Sequence, residues 1–143
     1  MSQSQATALP SNWRQLVSRS RQTRENAFAP YSQYKVGAAV LTDSGDIFTG
    51  CNVENSSYGL TICAERVAVC TAVAAGHTAI AAVAVSLGGV AVPCGSCRQF
   101  LYEFDPEMIV LLDDLNAERN EPDCVRLTEL LPRGFRLKPQ QDS

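Results

Sequence analysis

Cys63-Ala64-Glu65 and, further along the chain, Pro93-Cys94-Gly95-Ser96-Cys97 place three thiols and a carboxylate in two short segments. Each segment opens a stretch that reads as a helix. Zinc bound by three protein ligands keeps one coordination position open, which is the arrangement of a catalytic centre rather than a closed structural one. Cys94 and Cys97 are three residues apart and share a helix face, so both can reach one ion. In mid-helix, residues two apart, as Cys63 and Glu65 are, would diverge by about 200°. A site using both must therefore lie off the helix N-terminus, where first-turn side chains converge and free backbone N–H groups favour thiolates. Glu65 is then a carboxylate beside the metal but not on it, able to take a proton from water and pass it to a leaving group. Three thiolates leave zinc with a net charge of about −1 and weaken it as a Lewis acid. Arg66 and Arg98, each adjacent to a candidate residue, could compensate by hydrogen-bonding ligand sulfurs.

A lone C-x-x-C also serves redox sites and structural zinc sites. A non-catalytic zinc-stabilised module, with Cys51 or Cys70 as a fourth ligand, is the alternative of another class, and the number of bound sulfurs separates the two.

The elements that must position these groups alternate. Ser11 or Asn12 can cap a helix in which Trp13, Leu16, Val17, Ser20, Ala27 and Phe28 recur at helical spacing, ending before Pro30. Val36 to Leu41 and Ile47 to Cys51, joined by Thr-Asp-Ser-Gly-Asp, read as a hairpin. A helix from Cys63 to Ala75 stops at Gly76, and Ile80 to Ser86 is a strand. A helix from about Cys94 to Phe104, a strand at Met108 to Asp113, a polar loop from Asn116 to Asp123 and a short helix through Leu127 to Leu131 complete the pattern. The expectation is an α/β fold, a three-layer α/β/α sandwich with a mixed central sheet and a right-handed parallel crossover.

The 143 residues suit one domain, expected over 11–138 between a flexible tail at 1–10 and a second at 139–143. With 45% hydrophobic and 19% charged residues the chain can bury a core. A net charge of −3 argues against gripping a long nucleic acid. No window is apolar enough to span a membrane and no export signal precedes the domain, so a cytoplasmic protein with free thiols is expected. The single histidine, His77, follows a helix end and reads as a surface or capping residue.

Five stretches carry a resemblance along nearly the whole chain: Tyr31 to Ala39 (YSQYKVGAA), Gly50 to Asn55 (GCNVEN), Thr61 to Arg66 (TICAER), Pro93 to Gln99 (PCGSCRQ) and Glu129 to Pro132 (ELLP). In these the sequence resembles the cytidine deaminases of the small, homotetrameric, zinc-dependent type. The resemblance implies that Cys63, Cys94 and Cys97 bind one Zn²⁺ per subunit and that Glu65 shuttles protons. It also implies that Asn52 and Glu54 hydrogen-bond the ribose and that Tyr34, where many members carry Phe, packs on the nucleoside. The backbone N–H of Ala64 and the carbonyl of Val92 would hold the base, and Tyr58 and Phe135 would approach from neighbouring subunits. The implied reaction is hydrolytic attack at C4 of cytosine, with Glu65 protonating N3 and then the departing amine. Relatives often carry Ser at position 92, so the valine leaves only a backbone role there. The Gly-rich Leu87 to Val92 connection is positioned to reshape the pocket mouth. Within the same fold, a blasticidin S-type or other aminopyrimidine nucleoside deaminase is the runner-up.

Overall fold

The structure, a computed structural model, describes residues 7–137. Five strands form one mixed sheet in the order β2-β1-β3-β4-β5: β1 Gly37–Thr42, β2 Ile47–Cys51, β3 Ile80–Leu87, β4 Ile109–Asp114 and β5 Asp123–Arg126. β3 and β4 are parallel, and the other pairs are antiparallel. The helices are α1 Trp13–Arg24, α2 Ala64–Ala74, α3 Gly95–Tyr102 and α4 Leu127–Leu130.

Alternation along the strands feeds two cores. Ala38, Val40, Val83, Val85 and Val110 face α2, α3 and α4, whereas Ala39, Leu41, Ala82, Ala84 and Leu111 face α1. This is the expected α/β/α sandwich. β1 is buried along its whole length, and burial of each large aliphatic side chain in these layers contributes about 1.5–3 kcal/mol.

α2 approaches the sheet closely because both surfaces are made of small residues. Ala64, Ala68 and Ala72 recur every fourth residue on the face turned to the sheet, and all are fully buried. A Cβ built on Gly50 would lie 2.3 Å from the Ala68 nitrogen, so only glycine lets β2 and α2 meet at this distance. Gly76, at φ +94°, ends the helix in the left-handed conformation that favours glycine.

Three local expectations give way to tertiary contacts. α1 stops at Arg24 rather than near Pro30, because the chain from Asn26 extends to bridge Val53. Phe28 N–H donates to the Asn52 carbonyl and Glu54 N–H to the Phe28 carbonyl, at 3.0 and 2.8 Å. Phe28 is thereby exposed rather than in the helical core. The polar segment before α4 ends in β5, whose four residues pair with β4 and lack a buried alternating face. Residues 7–10, expected within a loose leading segment, lie against the domain: Leu9 packs on the α1 side and Cys124 Sγ donates to the Ala8 carbonyl. The expected tail at 139–143 lies outside the described residues.

Candidate active site

Cys63 and Cys94 are the N-cap residues of α2 and α3, both with extended backbone. Cys97 follows in the first turn of α3 and is fully buried. The two helices thus present their N-termini to one point, as the spacing of the motifs demands. Reciprocal hydrogen bonds of 2.9 Å between Val53 and Ile62 tie the chain just before Cys63 to the chain just after Asn52. That bridge brings the Asn52 segment to the head of α2.

The three sulfurs lie within 4.8 Å of one another, with Cys63 and Cys94 Sγ 3.9 Å apart. Tetrahedral zinc with bonds of about 2.3 Å requires sulfurs about 3.8 Å apart, so the donor set fits the ion in both chemistry and spacing. Electrostatics point the same way. The Cys63 thiol is pushed down to about 5, by a hydrogen bond from Cys97 and by the Arg66 guanidinium, against the opposing effect of burial. Cys97 is pushed up by that same bond, by burial and by the negative charge of Glu65 and the other sulfurs. Proximity thus keeps the proton on Cys97 while Cys63 gives its proton up, and a divalent cation is what would allow all three to act as thiolates together.

Glu65 occupies the second position of α2 and is 4% exposed. Burial raises its pKa above the ordinary carboxylate range. It lines a cavity of about 230 Å³ together with Cys63, Ala64, Cys94, Val92 and Tyr34. A carboxyl group shifted upward beside the three sulfurs holds a proton more readily than an ordinary carboxylate and is suited to receive and return one.

Asn52 also lines this cavity, and its amide is already engaged on both atoms. Oδ1 accepts from Val36 N–H at 2.9 Å and Nδ2 donates to the Tyr34 carbonyl at 2.8 Å. These partners fix the amide orientation and leave one lone pair and one proton for a ligand. Glu54 is not among the residues lining the cavity. Its carboxylate accepts from Tyr31 N–H, Ser32 N–H and the Ser32 hydroxyl. The hydroxyl, chiefly, holds Glu54 below the usual carboxylate range.

Arg66 donates to the Cys63 sulfur, as expected from its position. Arg98 does not reach a sulfur. It donates to the carbonyls of Pro93 and Leu130 at 2.8 and 3.1 Å, fastening the turn before Cys94 to α4. Tyr58 and Phe135 are 80% and 66% exposed and are not among the lining residues of this cavity. The Gln99 amide fastens the Phe135 carbonyl to α3. Ser32 was not singled out by sequence. It stands in a quoted motif, yet its contact with Glu54 spans 22 residues and leaves no trace in local spacing.

Comparison with known proteins places this geometry. Residues 10–113 match the family model "Cytidine and deoxycytidylate deaminase zinc-binding region". A cytidine deaminase of Sporosarcina psychrophila is 42% identical over 123 residues, covering 84% of this chain and 88% of that one. The crystal structure of a cytidine deaminase from Burkholderia pseudomallei superposes with a TM-score of 0.79 at 42% identity, covering 85% of this chain and 98% of that one. That of the Mycobacterium tuberculosis cytidine deaminase gives 0.76 at 40% identity, covering 90% and 100%. Likeness of this extent, in sequence and in fold, makes the chain a member of the cytidine and deoxycytidylate deaminase zinc-binding family.

Proposed function

We propose that this protein hydrolyses the exocyclic amine of cytidine and deoxycytidine, giving uridine or deoxyuridine and ammonia, as a cytoplasmic enzyme of pyrimidine salvage. The observation that carries this reading is the buried carboxyl of Glu65 in the same cavity as the sulfurs of Cys63 and Cys94. Zinc held by Cys63, Cys94 and Cys97 would supply a Lewis acid that polarises water for attack at the amine-bearing carbon.

The chain's own groups do the rest. Glu65 takes one proton from the attacking water and delivers it to the ring nitrogen, then takes the second proton from the hydroxyl added at the amine-bearing carbon and gives it to the amine as the C–N bond breaks and the carbonyl forms. Desolvation supports both halves of this shuttle, because it keeps the proton on Glu65 long enough to be passed on. Ala64 and Val92 line the cavity, and in this reading the backbone N–H of the first and the carbonyl of the second hold the edge of the base. Asn52 offers its remaining lone pair and proton to the ribose. Tyr34 covers the nucleoside, and Glu54, after a change of partners, would bind the second sugar hydroxyl. Arg66 steadies the Cys63 thiolate.

The exposed Tyr58 and Phe135 suit a homotetramer in which neighbouring copies complete one another's pockets. Light scattering on the native protein tests this assembly, and a stable, fully active monomer would remove it.

Zinc content and turnover of cytidine, deoxycytidine and blasticidin S, compared between wild type and Glu65→Ala, test the whole reading. Retained zinc with turnover of the two pyrimidine nucleosides lost by a factor of about 10² or more in the variant is the expected result. A zinc-replete wild type inactive on all three substrates would overturn it, and preference for blasticidin S would shift the substrate assignment.

A further inference from the structure

The connection between β3 and α3 forms part of the wall of the nucleoside cavity. Leu87 and Val92, near its two ends, line that cavity. Gly89 to Val92 also line a second cavity, of about 220 Å³. The loop therefore borders two cavities, and Val90 within it is 79% exposed. Packing anchors Leu87, Ala91 and Pro93 but not the Gly88-Gly89 tip.

That tip is held through one peptide group. The Tyr34 hydroxyl donates to the Gly88 carbonyl at 2.8 Å, and Gly89 N–H donates to Asp114 Oδ1 at 2.8 Å. Carbonyl and N–H belong to the same amide plane, so the two partners grip it from opposite ends. Gly89 has φ +109°, and a Gly-Gly peptide can rotate between alternative orientations with little steric resistance. Rotation of this plane would break both bonds at once. Asp114 is itself braced, since the same oxygen accepts Asn116 N–H at 2.8 Å.

We infer that Tyr34 and Asp114 are a paired clamp on the Gly88–Gly89 peptide, and that this clamp keeps the cavity wall in its binding-competent position. Both are positioning residues in this role: the Tyr34 hydroxyl acts on the loop, separately from any contact of its ring with substrate. Releasing the peptide lets the wall sample positions that do not bind nucleoside, so apparent affinity falls in proportion to the competent fraction. The proton shuttle at Glu65 is untouched. The inference rests on cytidine deamination as the reaction of this cavity for its kinetic consequence, but not for its structural one.

Amide hydrogen exchange on the full-length zinc-loaded protein tests the structural claim, using wild type, Tyr34→Phe, Asp114→Ala and Asp114→Asn. In Tyr34→Phe the Gly89 amide, whose own acceptor is intact, is expected to exchange about tenfold faster, the scale set by one lost hydrogen bond. Asp114→Asn, which keeps the acceptor oxygen, should retain more protection than Asp114→Ala. KM for cytidine should rise about fivefold in Asp114→Ala, a residue that does not line the nucleoside cavity, with kcat changed less than about twofold, and adding Tyr34→Phe should raise KM less than additively because the peptide is already free. Unchanged Gly89 exchange in Tyr34→Phe, or a fall in kcat with KM unchanged, would overturn the clamp. If the wild type does not deaminate cytidine, the functional reading fails, while the exchange comparison still decides whether the clamp exists.

Discussion

The Arg66 guanidinium donates to the Cys63 sulfur at 3.4 Å across the first turn of α2, while its buried Nε has no hydrogen-bond partner among the described residues. Its charge acts chiefly on Cys63 and, to a lesser extent, on Cys97. Arg66→Gln is expected to weaken zinc binding by about 10- to 100-fold, the usual scale for losing a group that braces a metal ligand. Arg66→Lys should fall between, because a point charge on a flexible stem cannot reproduce the planar guanidinium. Competition with a chromophoric chelator measures both, and unaltered affinity in Arg66→Gln would show the contact to be incidental.

Removing the metal should cost stability as well as activity. The three sulfurs stand at the heads of α2 and α3, so an ion bound by all of them cross-links the two helices, and chelation removes that link. Chelation is expected to lower Tm by about 5 °C or more and to abolish turnover, with both restored by stoichiometric zinc. A chelated protein that melts unchanged would show that the helix heads hold together without the ion.

Asp113 at the end of β4 accepts two bonds of 2.7 Å from Arg21 and one of 2.6 Å from the Ser86 hydroxyl, and it is 3% exposed. The carboxylate pins α1 to the sheet from within. Asp113→Ala leaves the Ser86 hydroxyl only its contact with the Ser20 hydroxyl and releases Arg21, and a loss of about 2–4 kcal/mol is expected in denaturant unfolding. Asp113→Asn, which keeps an acceptor, should lose less.

Gly50→Ala is expected to destabilise the protein by about 3 kcal/mol and to weaken zinc binding with it. The added methyl group would meet the Ala68 nitrogen, which is backbone and cannot swing away, so α2 must shift. Because α2 carries Cys63 at its cap and Glu65 in its first turn, the shift reaches the site. Thermal melts alongside metal titration measure the pair of effects, and a full-strength site in a destabilised variant would separate scaffold from function.

The metal centre was legible because its geometry is local: Cys63 and Cys94 cap helices whose starts the sequence marks, and Cys97 lies one turn on. The strands and helices were legible for the same reason, through spacing within each segment. What escaped was settled between segments. Adjacency to Cys97 suggests a sulfur partner for Arg98, yet its guanidinium finds two carbonyls, of Pro93 and Leu130, that only folding supplies. Phe28 kept helical spacing but left the helix to bridge a segment far along the chain. β5 shows no strand pattern because an edge strand of four residues with charged ends needs no apolar alternation. The engagement of Glu54 with Ser32 is likewise a contact between two loops.

Those charged ends have a consequence for how copies of this molecule can associate. Asp123 and Arg126, both exposed, bound the open side of β5, where a stray strand would otherwise find free backbone partners. A newcomer aligning there must bury or displace ionic groups for the return of only a few hydrogen bonds, so growth of the sheet into a fibre is discouraged at that border. Association is channelled instead toward surfaces that offer side chains rather than bare backbone, such as the exposed Leu60 and Ile62 beside the head of α2. Contacts between side-chain surfaces can close by symmetry, which the pairing of open strand edges does not.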